Sequence, residues 1–283
     1  MFNAIRMELY RMWKTRSLYI LWIMMSVLIL FTTNLNASDW NSYTEAEKQE
    51  NYEFTENARK VENISFGMYV NIPTKAGEEV TVLDSVYANL QGKFVALFMV
   101  IFVVVYSMAD ATSGYVKNVA GQMKRRGNLV GAKAIALAVF TVCTMGVYVI
   151  VQAVSNVICF GNLTWGAGNV FFRYLAIQII LHFALNLIVM MIAIVVHNNV
   201  FSIAFVICMC MNVMAIVYSG VDKLAAKMGV TDFHTLAYTV TGKISILGMG
   251  SSMREIGCAA AVAVVFGVIA LAVSSVVFQK RDI

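Results

Sequence analysis

The sequence predicts an all-α membrane protein. It has six transmembrane helices, an N-terminal interfacial amphipathic helix and a small α/β extracellular insertion between helices 1 and 2. Three observations carry this. Of 283 residues 60% are apolar and 13% charged, against roughly 45–50% and roughly 25% in soluble domains. Six stretches approach the ~20 apolar residues that cross a bilayer. The few charges are sorted by loop. Such a core could not be covered in water by so few charges, and disorder, collagen and coiled coil fall to the same counts.

Residues 1–17 form the interfacial helix. At 100° per residue Phe2, Ile5, Leu9, Met12 and Trp13 share one face, and Asn3, Glu8, Arg11 and Lys14 lie opposite. Basic residues behind an apolar, aromatic face suit an anionic leaflet. The first span, 18–35, is longer than a signal-peptide core of about 7–15 residues, so it reads as uncleaved.

Residues 36–92 are the one sizeable outer segment, with ten Asp/Glu against Lys48, Arg59, Lys60 and Lys75. Residues 42–64 read as a solvated helix. Gly67–Leu83 alternates around a Lys-Ala-Gly turn, which predicts a short hairpin. The second span, 93–110, is short. The basic loop 111–133 that follows reads as a short helix bounded by glycines. Spans three to five cover 134–159, 174–196 and 200–218. Only His197-Asn198-Asn199 separate the last two, which predicts a tight helical hairpin. Residues 219–256 are less polar than an ordinary loop, which fits short helices dipping into the outer leaflet against protein. Span six is 257–278, and 279–283 is a tail.

Charge sets the orientation. The N-terminal region, the loop after span two and the tail together hold 11 basic and 3 acidic residues; the other side holds 10 and 13. By the positive-inside rule both termini are cytoplasmic.

Inside the spans, Gln152 and Asn156 are four apart, and Gln178, His182 and Asn186 are each spaced by four, so each set shares a helix face. Polar groups in hydrocarbon need partners. Two readings stand: a polar lining of a translocation route, with His182 titrating, or interhelical hydrogen bonds. Asn212 is a weaker instance. The five cysteines lie in or beside apolar runs, which argues against a disulfide framework or a metal site. No Gly-x-x-x-x-Gly-Lys-Ser/Thr run, His-Glu-x-x-His or Gly-x-Ser-x-Gly elbow occurs, so no catalytic residue and no metal ligand is assigned, and an enzyme acting on lipids finds no nucleophile–base set.

The loop after span two carries Asp110, Gly114, Lys117-Asn118, Lys124, Arg125-Arg126 and Lys133. With the start MELYRMWKTRSLY and the end Phe278-x-x-Arg281-Asp282, it resembles the membrane subunits of type-2 ABC exporters. The likeness is strongest to bacterial permeases for bacitracin, lantibiotics and related peptides. The resemblance implies a non-enzymatic permease of the bacterial cytoplasmic membrane that carries no cofactor of its own. Two ATPase subunits would bind ATP and Mg, a second permease subunit, identical or a sister, would complete the assembly, and nucleic acid has no part. Asp110, Gly114, Lys117, Asn118, Lys124, Arg125 and Arg126 would then form the coupling element. The substrate stays open among amphipathic peptides, lipid-like molecules and drugs. The alternative is an ATP-independent membrane protein, either a secondary carrier or a structural anchor.

Overall fold

A computed structural model describes residues 2–58, 60, 67–112, 127–230 and 233–280, with the backbone alone at 110–112. Among these residues all regular structure is helical. The short helix α1 (Phe2–Lys14) turns at an extended Thr15 into α2 (Arg16–Ser42). The polar helix α3 (Glu45–Ala58) starts at a reciprocal cap in which the Thr44 amide and hydroxyl donate to Glu47 Oε2 at 2.7 and 2.8 Å. Such a box satisfies two otherwise orphaned donors. The helix α4 (Val82–Gln91) starts at the same kind of box, with Thr81 as cap and Asp84 reaching back. Then follow α5 (Phe94–Thr112), α6 (Gly127–Phe160) and α7 (Gly168–Val196). His197 ends α7 in the left-handed region (φ 54°), and the Asn198 side chain caps α8 (Asn199–Cys210). The remainder is α9 (Ala215–Lys227), a 3-10 turn (Thr235–Tyr238), α10 (Val240–Ile246) and α11 (Met253–Lys280).

Four helices, α2, α6, α7 and α11, are long and apolar enough to cross a membrane. Two bent pairs raise the number to six if each is one crossing: α4 with α5, bent by 52°, and α8 with α9, bent by 65°. The outward faces fit the same solvent. On α2, Ile20, Ile23, Val27 and Phe31 are more than half exposed, as are Ile150, Val154 and Ile158 on α6. Aliphatic stripes of this kind are not left open to water. The protein is membrane-embedded.

The core is built around α7, which packs against α11, α5, α6 and α10. The opposite face of α2 (Leu18, Met25, Ile29, Thr33, Ala37) is buried and the helix packs on α6. Eight of the ten residues of α4 are buried, so it is an interior helix rather than the end of a surface segment.

Three expectations are corrected. The hairpin over Gly67–Leu83, and with it the α/β form of the insertion, is not formed: no strand occurs among the described residues. The turn at Lys75 is present (Glu78 N to Lys75 O, 3.1 Å), but its flanks run against helices and the last residues join α4. Span 200–218 is not one helix; it breaks at 211–214. Glu8 does not lie on a solvated face. The residues of α1 that are buried are Ala4, Glu8 and Met12, while Phe2 and Tyr10 point outward.

Candidate functional site

The two helices that flank residues 113–126 are joined near that segment to α1. Tyr106, nearly two turns before the end of α5, is 1% exposed. Its hydroxyl donates to Glu8 Oε2 at 2.5 Å, and the Glu8 carbonyl is 3.1 Å away. Arg11 Nη2 donates to the same carboxylate oxygen at 2.9 Å, and its guanidinium lies 4.9 Å from the Tyr106 ring centre. From α6, Lys133 Nζ stands 5.3 Å from that ring and 3.4 Å from the Ser107 carbonyl. A buried carboxylate needs both charge and donors. Here α1 supplies the acid and one cation, α5 the hydroxyl and ring, α6 the second cation. The backbone at Asp110 is helical; Gly114, Lys117, Asn118, Lys124, Arg125 and Arg126 lie outside the described residues, as do Arg281 and Asp282.

The polar stripes are fully buried: Gln152, Asn156, Gln178, His182 and Asn186 are all 0% exposed. They do not hydrogen-bond to one another across the two helices. Gln152 Nε2 donates to Asn156 Oδ1 (2.9 Å) and to Thr33 on α2 (3.1 Å), and its Oε1 accepts from Asn89 on α4 (3.0 Å). One side chain thus joins three helices. Asn186 Nδ2 donates to Thr141 on α6 at 2.9 Å. Gln178 Nε2 reaches Tyr174 (3.0 Å) and the Ile244 carbonyl of α10 (3.4 Å). His182 Nδ1 lies 2.8 Å from the Gln178 carbonyl. A carbonyl only accepts, so Nδ1 carries the proton and Nε2 is a bare acceptor. Gln178 Oε1, His182 Nε2 and Asn186 Oδ1 have no hydrogen-bond partner. One face of α7 therefore presents three acceptors in a row, about 6 Å apart by helix rise.

The two helix breaks meet. Lys93, between α4 and α5, has φ 60°; Asn212, between α8 and α9, has φ 56°. Both conformations are uncommon for residues other than glycine. The Lys93 ammonium donates to Asn212 Oδ1. Asn212 Nδ2 in turn donates to the Gly67 carbonyl at 3.0 Å, and the Gly67 amide donates to the Met211 carbonyl at 3.0 Å. Each irregular stretch thereby supplies partners to the other, as buried non-helical backbone requires.

Residues 51–283 match the family described as protein of unknown function (DUF2705). The chain belongs to the DUF2705 family. No curated protein matches it. The DUF2705 match takes in Tyr106, Lys133, both polar stripes and the paired breaks; Glu8 and Arg11 precede it. Among the described residues of this DUF2705 chain no three His, Cys, Asp or Glu side chains converge. What the residues offer is hydrogen bonding and charge.

Sequence reasoning missed Lys93, Asn89, Tyr106 and the inward side of Glu8. Lys93 reads as a flank of the apolar run beginning at Phe94. The signal against that is the second apolar run, Val82–Leu90, just before it. For Glu8 the signal was Ala4–Glu8–Met12, an i, i+4, i+8 row with small or apolar residues at both ends.

Proposed function

We propose that this chain is the membrane permease subunit of an ATP-driven ABC exporter that moves an amphipathic or hydrophobic substrate, such as an antimicrobial peptide, out of a bacterial cytoplasmic membrane or cytoplasm. In this reading the bent pairs count as crossings, which makes six, and both termini are cytoplasmic. Two copies of a separate ATPase bind ATP and Mg and dock on the basic loop. A second permease subunit completes the assembly.

The observation that best supports the reading is the Tyr106 cluster. A subunit without an ATP motif must receive movement through a contact loop. Here the helix entering that loop, the helix leaving it and α1 are held at one buried point. A push on the loop would move three helices together rather than fold the loop away. The basic residues Lys117, Lys124, Arg125 and Arg126 of the loop supply the docking charge.

The test is co-purification. A tagged chain expressed with its genomic neighbours should bring down an ATPase. The combined Lys124→Glu, Arg125→Glu and Arg126→Glu variant should reach the membrane yet lose the ATPase. A chain purified to homogeneity with no ATPase, and transport that persists without ATP, would overturn the proposal.

One observation favours the second reading, an ATP-independent carrier. Lys93 is a buried ionisable group at a broken helix, the kind of site carriers use. Substrate flux in vesicles driven by an ion gradient alone would decide for it.

A further inference from the structure

The polar site at the paired breaks is not used by a coupling mechanism. Lys93 is 1% exposed. Its one hydrogen bond is to an amide oxygen, and among the described residues no carboxylate pairs with it. Depth adds to the oddity. The helix α8 climbs about 18 Å from the His197 turn before it breaks at Asn212, less than the ~30 Å hydrocarbon thickness. With each bent pair taken as one crossing, Lys93 sits within the bilayer span, beside the buried apolar Leu90, Val95 and Ala96. An amide dipole satisfies one of three ammonium protons and neutralises no charge. A buried cation is otherwise found with an anion.

The cover over this group is thin. Residues Gly67 to Tyr69 lie across both breaks. Gly67 is bonded to Met211 and Asn212, and a Cβ on Gly92 would stand 2.5 Å from the Tyr69 carbonyl, so the two backbones touch. Beside it, α9 has no buried residue and carries exposed Ile216, Val217, Val221 and Leu224. A buried cation without an anion among the described residues, next to an uncovered apolar helix, matches one ligand chemistry.

We propose that Lys93, at the junction of the two breaks, binds the anionic head group of an amphiphile, a carboxylate or phosphate, whose tail lies along α9. The head group takes the place of Asn212 Oδ1 on the ammonium. The same chemistry is offered by a free acid and by an anionic lipid. The site does not depend on an ATPase partner.

The experiment uses the full-length chain in phosphatidylcholine nanodiscs. Doxyl-labelled stearate, its methyl ester and doxyl-labelled phosphatidylglycerol are titrated separately, and the motionally restricted fraction is read by electron paramagnetic resonance. The wild type should hold stearate and release its ester. Lys93→Met should weaken stearate by about tenfold or more, the size of a lost charge-assisted bond. Asn212→Asp is the second variant. It places a carboxylate of the chain itself on Lys93, so it should lose the probe while raising the thermal midpoint. Restriction of phosphatidylglycerol but not stearate, with the same response to both variants, supports the site and assigns it to lipid. Equal binding of acid and ester, no restricted fraction for either anion, or an Asn212→Asp protein that binds as the wild type does, overturns the proposal.

Discussion

The Tyr106 hydroxyl donates to the Glu8 carboxylate at 2.5 Å, across 98 residues of chain. Together with the packing of α1 on α6, this contact holds α1 in place. An amphipathic helix held only by lipid slides and rotates; one with a buried acid bonded to α5 does not.

The first prediction is therefore about α1. Tyr106→Phe removes a hydrogen bond to a charged acceptor, worth about 1.5–3 kcal/mol. Glu8→Ala should cost more, because it also removes the Arg11–carboxylate ion pair. A cysteine at Ala4, 4% exposed, should resist maleimide in the parent protein and label readily in both variants, faster in Glu8→Ala. Unchanged protection in Glu8→Ala would show that packing on α6, not the buried acid, positions the helix.

Gln152 and Asn186 look alike in the sequence but should differ in weight. Gln152 holds Thr33, Asn89 and Asn156, whereas Asn186 has a good bond only to Thr141. Interhelical bonds in membranes average about 0.6 kcal/mol and reach about 1.7. Gln152→Met should lower stability by roughly two such contacts, to Thr33 and Asn89, beyond the Asn156 bond within α6, and Asn186→Leu by one. Unfolding of the two variants in mixed micelles gives the order; an equal or reversed order refutes the three-helix role of Gln152.

These residues show what could be read in advance. The spacing of Gln178, His182 and Asn186 placed them on one face, and that face is buried. The His197-Asn198-Asn199 separation marked a tight turn, and it is one. Such features are local, set by helix period and length. The breaks are not local. Met211-Asn212-Val213-Met214 contains no glycine or proline, and its one helix-ending signal, Asn212, is weak on its own within an apolar run. The stretch is irregular because Gly67 and Lys93 supply its partners from distant parts of the chain. Glu8 was misplaced for the same reason: its burial rests on Tyr106. The two arms of Gly67–Leu83 do not pair into a hairpin: Ile72 and Val80 pack with Trp40, and the chain from Val82 on is helix.

Close packing makes a third prediction. A Cβ on Gly242 would come within 1.8 Å of the Leu236 carbonyl, so backbone must shift between the 3-10 turn and α10. Gly242→Ala should cost about 1–3 kcal/mol, the range of overpacking. Gly146, inside α6, has nothing within 4 Å of the added atom. Gly146→Ala should be neutral or stabilise by up to about 1 kcal/mol, since glycine weakens helices. Thermal midpoints of the pair should move in opposite directions or differ clearly.

The start of α3 should respond to acid. The Thr44 amide and hydroxyl hold the Glu47 carboxyl below its usual 4.5, and the Lys48 bond and charge do the same for Glu45. A depressed folded value means the cap contributes fully above 4.5 and is lost as pH falls through the lower folded value. A spin label replacing exposed Glu50 should stay slow down to about pH 4.5 and gain mobility below it. Glu47→Gln keeps a capping side chain without the titration, so its mobility should change less over the same range. An identical acid response in Glu47→Gln would place the transition elsewhere.

The last prediction separates docking from transmission in the proposed exporter. The basic residues Lys124, Arg125 and Arg126 belong to the contact with the ATPase, while Glu8 and Tyr106 belong to what the contact moves. Charge reversal in the loop should abolish co-purification of the ATPase. Glu8→Ala should leave co-purification and basal hydrolysis near wild type, because no docking group is touched, yet lower the substrate moved per ATP hydrolysed, because α1 no longer follows α5. Tyr106→Phe should fall between, since Arg11 still pairs with Glu8. The comparison is made in proteoliposomes with matched protein content, hydrolysis and flux measured on the same sample. Were Glu8→Ala to reduce hydrolysis and flux in equal proportion, α1 would be part of the docking surface itself, and the division between the loop and the Tyr106 cluster would not hold.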